Sequence, residues 1–222
     1  MITEKELRTK LMGLVRKPGK LKTNESMILP HDDRPLLQSE IFKTESSVHI
    51  LELGSGWGEF AIQWLIKNPT HEVFAIESKK ERIFHTLKEA ERQKVNRLAM
   101  MQLNFNWFLE ELLPEAAFDY IIVNFPDPWP KKRHWKHRLV QSGFAERMAP
   151  LLRPNGIIHL ATDYGPYARK MLRVMRSAPQ FEPVFAPVDY QRQRPGTFPP
   201  TKFEKSQIAQ GYLPYFTQWR LR

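Results

Sequence analysis

Cysteine is absent from the 222 residues, so disulfide cross-links, zinc–thiolate centres and cysteine nucleophiles are excluded, in accord with a reducing compartment. No run approaches the ~20 apolar residues of a membrane-crossing helix. The opening Met1-Ile2-Thr3-Glu4-Lys5-Glu6 lacks the apolar centre of a secretory leader. The expectation is a cytoplasmic chain with neither a membrane nor a metal partner. Internal repeats and low-complexity tracts are also missing. Acidic residues are in short supply. Thirty-four Lys and Arg face 24 Asp and Glu, a formal net charge of +10. That excess favours a polyanion such as nucleic acid or an anionic surface, without choosing between them.

What is present suits a single core: 41% of residues are hydrophobic, and the length is that of one domain with or without a tail. Residues 1–24 carry seven Lys or Arg and little apolar content, so 1–40 is expected to be a basic, partly mobile arm and 41–222 the domain proper. From Val48 onward, short apolar runs alternate with longer amphipathic ones, the pattern of a parallel sheet covered by helices. Strands are expected at 48–53, 72–77, 97–103, 118–124 and 156–161. Helices are expected at 58–67, 79–93, 107–113, 136–152 and 164–177, with Pro154-Asn155-Gly156 turning into the fifth strand. The segment 191–200 reads as a long irregular loop. Tyr212 to Arg222, aromatic and β-prone, reads as a final edge strand, paired antiparallel with one near 181–186. The order is that of a doubly wound α/β fold, mostly parallel, with helices on both faces and an antiparallel C-terminal edge.

Leu51-Glu52-Leu53-Gly54-Ser55-Gly56-Trp57-Gly58 falls where the first strand gives way to the first helix, and its glycines permit a tight turn with close approach of a ligand. Glu59 stands where the dinucleotide fingerprint has its third glycine, and no proton donor is placed for hydride chemistry, so a nicotinamide cofactor fits poorly. Glu77 ends the second strand, where a carboxylate accepts from both hydroxyls of a ribose. Glu52 would attract an ammonium and repel a pyrophosphate. Together Glu52, Gly54, Ser55, Gly56 and Glu77 favour S-adenosylmethionine. The bland alternative is a glycine turn with no ligand and a solvated Glu77.

Phe118 to Phe125 reads as a buried strand, and ligands of open α/β sheets bind beyond strand carboxyl ends, which puts Asp127 at the mouth of a site. Pro126 and Pro128 hold it in a rigid loop. Lys131 to Arg138 then supplies five cations, two histidines and Trp135, a phosphate grip with a stacking surface or, more plainly, a solvated basic helix start.

The run Asn124-Phe125-Pro126-Asp127-Pro128-Trp129-Pro130-Lys131-Lys132-Arg133-His134 resembles the signature of the tRNA (guanine-N7-)-methyltransferase family. The likeness extends to Ala161-Thr162-Asp163-Tyr164 and to Thr201-Lys202-Phe203-Glu204. The resemblance implies a Rossmann-like class I methyltransferase fold. It also implies S-adenosylmethionine as donor, tRNA as partner and N7 of a variable-loop guanosine as acceptor. Carried over position by position, it places Glu52, Glu77, Asn106 and Asp127 at the cofactor, Asp127 also at the catalytic position, and Lys131, Asp163, Thr201, Lys202, Phe203 and Glu204 at the substrate. Asn106 is a departure, since the family usually has Asp there. An RNA-binding protein with an impaired cofactor pocket is therefore the competing reading. Among the substrate positions, Asp163 could equally cap a helix beginning at Tyr164, Thr201 could be a turn residue, and Phe203 reads as packing. Oligomeric state is not legible.

Overall fold

The structure is a computed structural model that describes residues 26–31, 34–44, 48–103 and 109–222. The basic arm over 1–24 and Asn106 lie outside these residues. The chain divides into two compact units, Met1–Glu115 and Ala116–Arg222.

In the first unit, β1 (His49–Leu53), β2 (Glu72–Glu77) and β3 (Leu98–Gln102) pair in parallel in the order β3-β2-β1. The register sets Leu51 beside Phe74 and Phe74 beside Ala99. Every residue of the three strands is buried, which is why they read as continuous apolar runs rather than alternating ones. A short α1 (Gln38–Ile41) precedes them; α2 (Glu59–Lys67) and α3 (Lys80–Arg92) connect them, and α4 (Leu109–Leu112) follows. On α3, Ile83, Thr86, Leu87 and Ala90 form the buried stripe at helical spacing, while its charged residues face solvent.

In the second unit, β4 (Phe118–Asn124) pairs in parallel with β5 (Leu152–Thr162), and β7 (Tyr215–Leu221) pairs antiparallel with both β5 and the short β6 (Phe181–Pro183). The C-terminal strand is antiparallel as expected, but it lies between β5 and β6, and β6 takes the outer position. The fifth strand is longer than the expected 156–161. It begins at Leu152 and carries Arg153 to Gly156 as an irregularity, with Phe118 opposite Leu152 and Tyr120 opposite Ile157. Asn155 takes a positive φ of 64° there, so the turn chemistry of Pro154-Asn155-Gly156 makes a bulge rather than a strand start.

The helix expected over 136–152 is replaced by three pieces. A 3-10 helix covers Lys132–His137, α5 covers Phe144–Met148, and a second 3-10 turn covers Ala149–Leu151. Gly143 is left-handed at the start of α5, and Pro150 blocks continuation beyond it. Helix α6 (Gly165–Arg176) agrees with expectation and buries Ala168, Met171, Leu172 and Met175. An unexpected helix, α7 (Lys202–Ala209), follows the irregular segment that begins after β6. Its capping pair Thr201 and Glu204 was present in the sequence as the pattern that starts helices, but the apolar periodicity behind it is weak. No helix among the described residues is long and apolar enough to cross a membrane, and none of their His, Asp and Glu side chains cluster as metal ligands.

Candidate active site

The first unit carries the glycine loop between β1 and α2. Gly54, Gly56 and Gly58 all have positive φ, and two of them serve different ends. A Cβ built on Gly58 would lie 2.2 Å from Thr86 Cγ2, so this glycine lets α2 start against α3. A Cβ on Gly56 would meet nothing within 4 Å, so that part of the loop borders open space. Around this space two buried carboxylates behave differently. Glu77 is satisfied: its Oε2 accepts from Gly56 N at 3.0 Å, and its Oε1 accepts from Ser78 N at 2.8 Å and Lys79 N at 2.9 Å. Arg82 Nη1 stands 3.6 Å from Oε2. Glu77 thereby fixes the loop, and Oε2 keeps lone-pair capacity for a hydroxyl.

Glu52 is 2% exposed, and its Oε2 has no hydrogen-bond partner. Burial foremost, then the charges of Glu59 and Glu77, push its carboxyl up to about 8. The hydroxyl of Ser55 is likewise buried and unpartnered. Leaving such groups unmatched is costly, so an acceptor and a hydroxyl orphaned beside an open glycine loop are groups prepared for a polar ligand. An ammonium would satisfy Glu52; a pyrophosphate would not. A cavity of about 930 Å³ lies elsewhere in this unit, lined by Phe42, Lys43, Glu72 and Leu98 at the amino ends of β2 and β3. It sits at the wrong strand ends for an α/β ligand site.

The second unit carries the proline-bracketed loop of Asp127, which the resemblance implies is the acceptor loop. Phe125 N donates to Ala161 O at 2.9 Å as the ladder ends, and the chain then turns sharply, with φ of 49° at Phe125 and 40° at Trp129. Positive φ at two aromatic residues is strained backbone, and such strain persists only where the surroundings enforce it. At the Trp129 end Arg138 does the enforcing. Although it closes the basic run, it is buried, donating from Nε to Pro128 O at 2.7 Å and from Nη2 to Trp129 O at 3.1 Å. Its guanidinium lies 4.8 Å from the Trp135 ring and 4.9 Å from that of Tyr167. The Tyr167 hydroxyl accepts from Val140 N at 3.0 Å, which secures the chain that carries Arg138. Asp127, between the two clamped carbonyls and the end of β4, is exposed, and its carboxylate accepts no hydrogen bond among the described residues.

Nothing in the sequence distinguished Arg138 from its four cationic neighbours, or Tyr167 from other apolar positions of α6. Asn124 was missed as well. Its Nδ2 is buried with no acceptor at the carboxyl end of β4.

The other expected substrate positions divide. Lys131 is exposed just past the loop, and Asp163 follows β5, whose Ala161 is in register with Asn124, so Asp163 borders the end of β4. Asp163 does not cap α6. That helix begins at Gly165 with Tyr164 as its N-cap, and Tyr164 N donates instead to Thr162 Oγ1 at 3.2 Å. Thr201 is a helix cap rather than a turn residue, its Oγ1 accepting from Glu204 N at 3.0 Å. Glu204 is buried and paired with Arg194 at 2.6 Å. Between them Lys202 is exposed, and Phe203, 46% exposed, packs on Phe125 at a ring separation of 5.3 Å. Thr201 and Glu204 thus pin the first turn of α7, and Phe203 brings that turn to the acceptor loop.

A family model described as "Putative methyltransferase" matches residues 46–215. A tRNA (guanine-N(7)-)-methyltransferase of Leptospira interrogans is 40% identical over 183 residues, which is 82% of this chain and 83% of that protein. Its counterpart in Alkalilimnicola ehrlichii is 30% identical over 96% of this chain and 93% of its own. The chain belongs to the tRNA (guanine-N(7)-)-methyltransferase family. Solved structures agree on the fold. TrmN from Thermus thermophilus superposes with a TM-score of 0.59 at 17% identity, over 98% of this chain and 49% of that one. The aminoglycoside resistance methyltransferase NpmB1 gives 0.56 at 14%, over 84% and 94%. The fold is therefore the Rossmann-like class I methyltransferase fold, with its mostly parallel strands and antiparallel C-terminal pairing.

Proposed function

We propose that this chain methylates N7 of a guanosine in the variable loop of tRNA, within a catalytic domain spanning residues 41–222 and in the cytoplasm. S-adenosylmethionine, when bound, supplies an electrophilic sulfonium methyl. Glu52 and Ser55 would hold its amino-acid end and Glu77 its ribose, with Gly54 and Gly56 giving the backbone room to approach. The unmatched Glu52 and Ser55 oxygens support a working pocket over an impaired one, which would have no reason to keep buried polar groups unpaired.

The observation that carries the acceptor assignment is Asp127: an exposed carboxylate on a strained loop that a buried arginine holds by two carbonyls. Guanine N7 has a free lone pair and no proton to lose, so no general base is needed. The C–N bond forms as the S–C bond breaks, and positive charge passes to the purine. Asp127 stabilises that charge and accepts from the N–H edge of the base, a role of orientation and electrostatics. Lys131 and the exposed cations after it take backbone phosphates. Asp163, Lys202 and Phe203 complete the contact to the nucleotide, with Thr201 and Glu204 fixing the turn that presents them.

The test is incubation with unmodified tRNA and methyl-labelled cofactor, followed by digestion and identification of the labelled nucleoside and its position. Label in 7-methylguanosine of the variable loop is expected. Label in any other nucleoside overturns the assignment.

A further inference from the structure

A groove of about 360 Å³ in the second unit lies between the 3-10 helix and α6. Trp135, Arg138, Gln141, Arg169, Lys170 and Arg173 line it, and no acidic side chain does. Arg169, Lys170 and Arg173 have no acidic partner among the described residues. They share one face of α6, opposite the buried Ala168, Met171, Leu172 and Met175. Arg169 and Arg173 are one turn apart, a like-charge spacing that disfavours a helix unless an anion relieves it. The third wall is aromatic. Trp135 is 42% exposed, yet its ring is held, with Nε1 donating to Pro130 O at 3.4 Å and Arg138 packed 4.8 Å from its centroid. An indole ordered in advance offers a stacking surface without the entropy loss of fixing it on binding.

We propose that this groove binds one unstacked nucleotide of the RNA substrate, its base against Trp135 and its flanking phosphates on Arg169, Lys170 and Arg173. The chemistry is that of single-stranded RNA recognition, in which cations hold the backbone and an aromatic face takes the base. The volume lies at the small end of ligand sites, matching one nucleotide rather than a duplex. Guanidinium groups suit phosphate because they donate in pairs. The site rests on the RNA-methylating reading above, and it extends the contact beyond the acceptor loop from the charge run of residues 131–138 onto the cationic face of α6.

The test compares wild type with a triple variant, Arg169→Gln with Lys170→Gln and Arg173→Gln, and with Trp135→Ala and Trp135→Phe, in binding to unmodified tRNA across a salt series. The triple variant is expected to bind about 10- to 100-fold more weakly near physiological salt, with a slope of log K against log salt shallower by about 2 to 3. Its affinity for S-adenosylhomocysteine and its unfolding midpoint should match wild type. Trp135→Ala should weaken binding about 5- to 100-fold, and Trp135→Phe should restore most of it. A triple variant with wild-type tRNA affinity and salt slope, alongside wild-type protein that forms 7-methylguanosine, overturns the groove alone. A changed sedimentation coefficient with tRNA affinity intact would give the groove to a second copy of the chain and also overturn it. Wild-type protein that forms no 7-methylguanosine in tRNA overturns the activity, and this site with it.

Discussion

Glu52 and Asp127 are both carboxylates at the carboxyl ends of strands, yet the first is 2% exposed and unpartnered, whereas the second stands in solvent. In the glycine-loop region the groups proposed to meet the ligand are themselves buried, and the loop is fixed by a neighbouring carboxylate, Glu77. In the acceptor loop the group proposed to meet the ligand, Asp127, is exposed, and burial falls to the residue that fixes the loop, Arg138. The difference follows the ligands. A small charged cofactor is recognised by groups already stripped of water. A nucleotide on a large RNA must be met at the surface, where only a rigid backbone can keep a lone carboxylate in place.

Removing Asp127 is the hardest test of that contrast. Asp127→Ala should lower single-turnover methyl transfer by about 10² to 10³ while leaving S-adenosylhomocysteine affinity unchanged. A drop in cofactor affinity instead would place Asp127 in the other region's work. If the carboxylate stabilises charge and no proton is abstracted, the methyl-transfer step should show no primary solvent isotope effect in single turnover; a large one would break the mechanism.

The buried region should respond to pH. With its carboxyl raised to about 8, Glu52 is neutral in the folded free chain at pH 6, and a bound ammonium needs it ionised. Cofactor affinity should therefore rise with pH below about 8, by up to roughly tenfold per unit, with proton release measurable by calorimetry in buffers of different ionisation enthalpy. Glu52→Gln should bind weakly and show no such slope. The sign for stability is opposite. Glu52 is protonated in the folded chain and ionised in the unfolded one between its ordinary value of 4.5 and about 8, so its contribution declines as pH rises through that window. The glutamine variant should flatten the decline seen in thermal unfolding.

Arg138→Met keeps length and apolar packing but abandons two carbonyls. Turnover should fall about tenfold with cofactor affinity intact, on the scale of charge-assisted hydrogen bonds worth about 1.5–3 kcal/mol. Unchanged turnover would mean that the acceptor loop holds itself. The smallest effect belongs to Thr201→Ala, which should cost about 1 kcal/mol as a lost helix cap and lower the unfolding midpoint by about 2–4 °C. A larger rise in KM for tRNA than loss of stability would make Thr201 a direct contact.

Much of this was legible. β1 and β2 were visible because strands buried on both faces are written as largely apolar runs, β4 because Ile121 to Val123 forms a buried apolar stretch, and α3 and α6 because their buried stripes recur at helical spacing. The broken segment after Trp135 was not, since single residues such as Gly143 and Pro150 reset the backbone inside what reads as one amphipathic stretch. Helix α7 was hidden for the opposite reason. Its capping signal is strong, but Glu204 is its one buried residue, so no apolar stripe announces it.

By itself the sequence determined the chemistry on offer: a glycine turn followed at the right interval by an acid, a proline-bracketed Asp127, and an excess of cations to draw in RNA. These are local facts, set by residue type and spacing. Only the tertiary structure decided which charges face a ligand and which serve the fold. Arg138 and Lys131 share one basic run, as Glu204 and Lys202 share one motif, yet one of each pair is buried against carbonyls or an arginine and the other is exposed. Burial sets whether a charge must find a protein partner, and no reading of spacing reveals it.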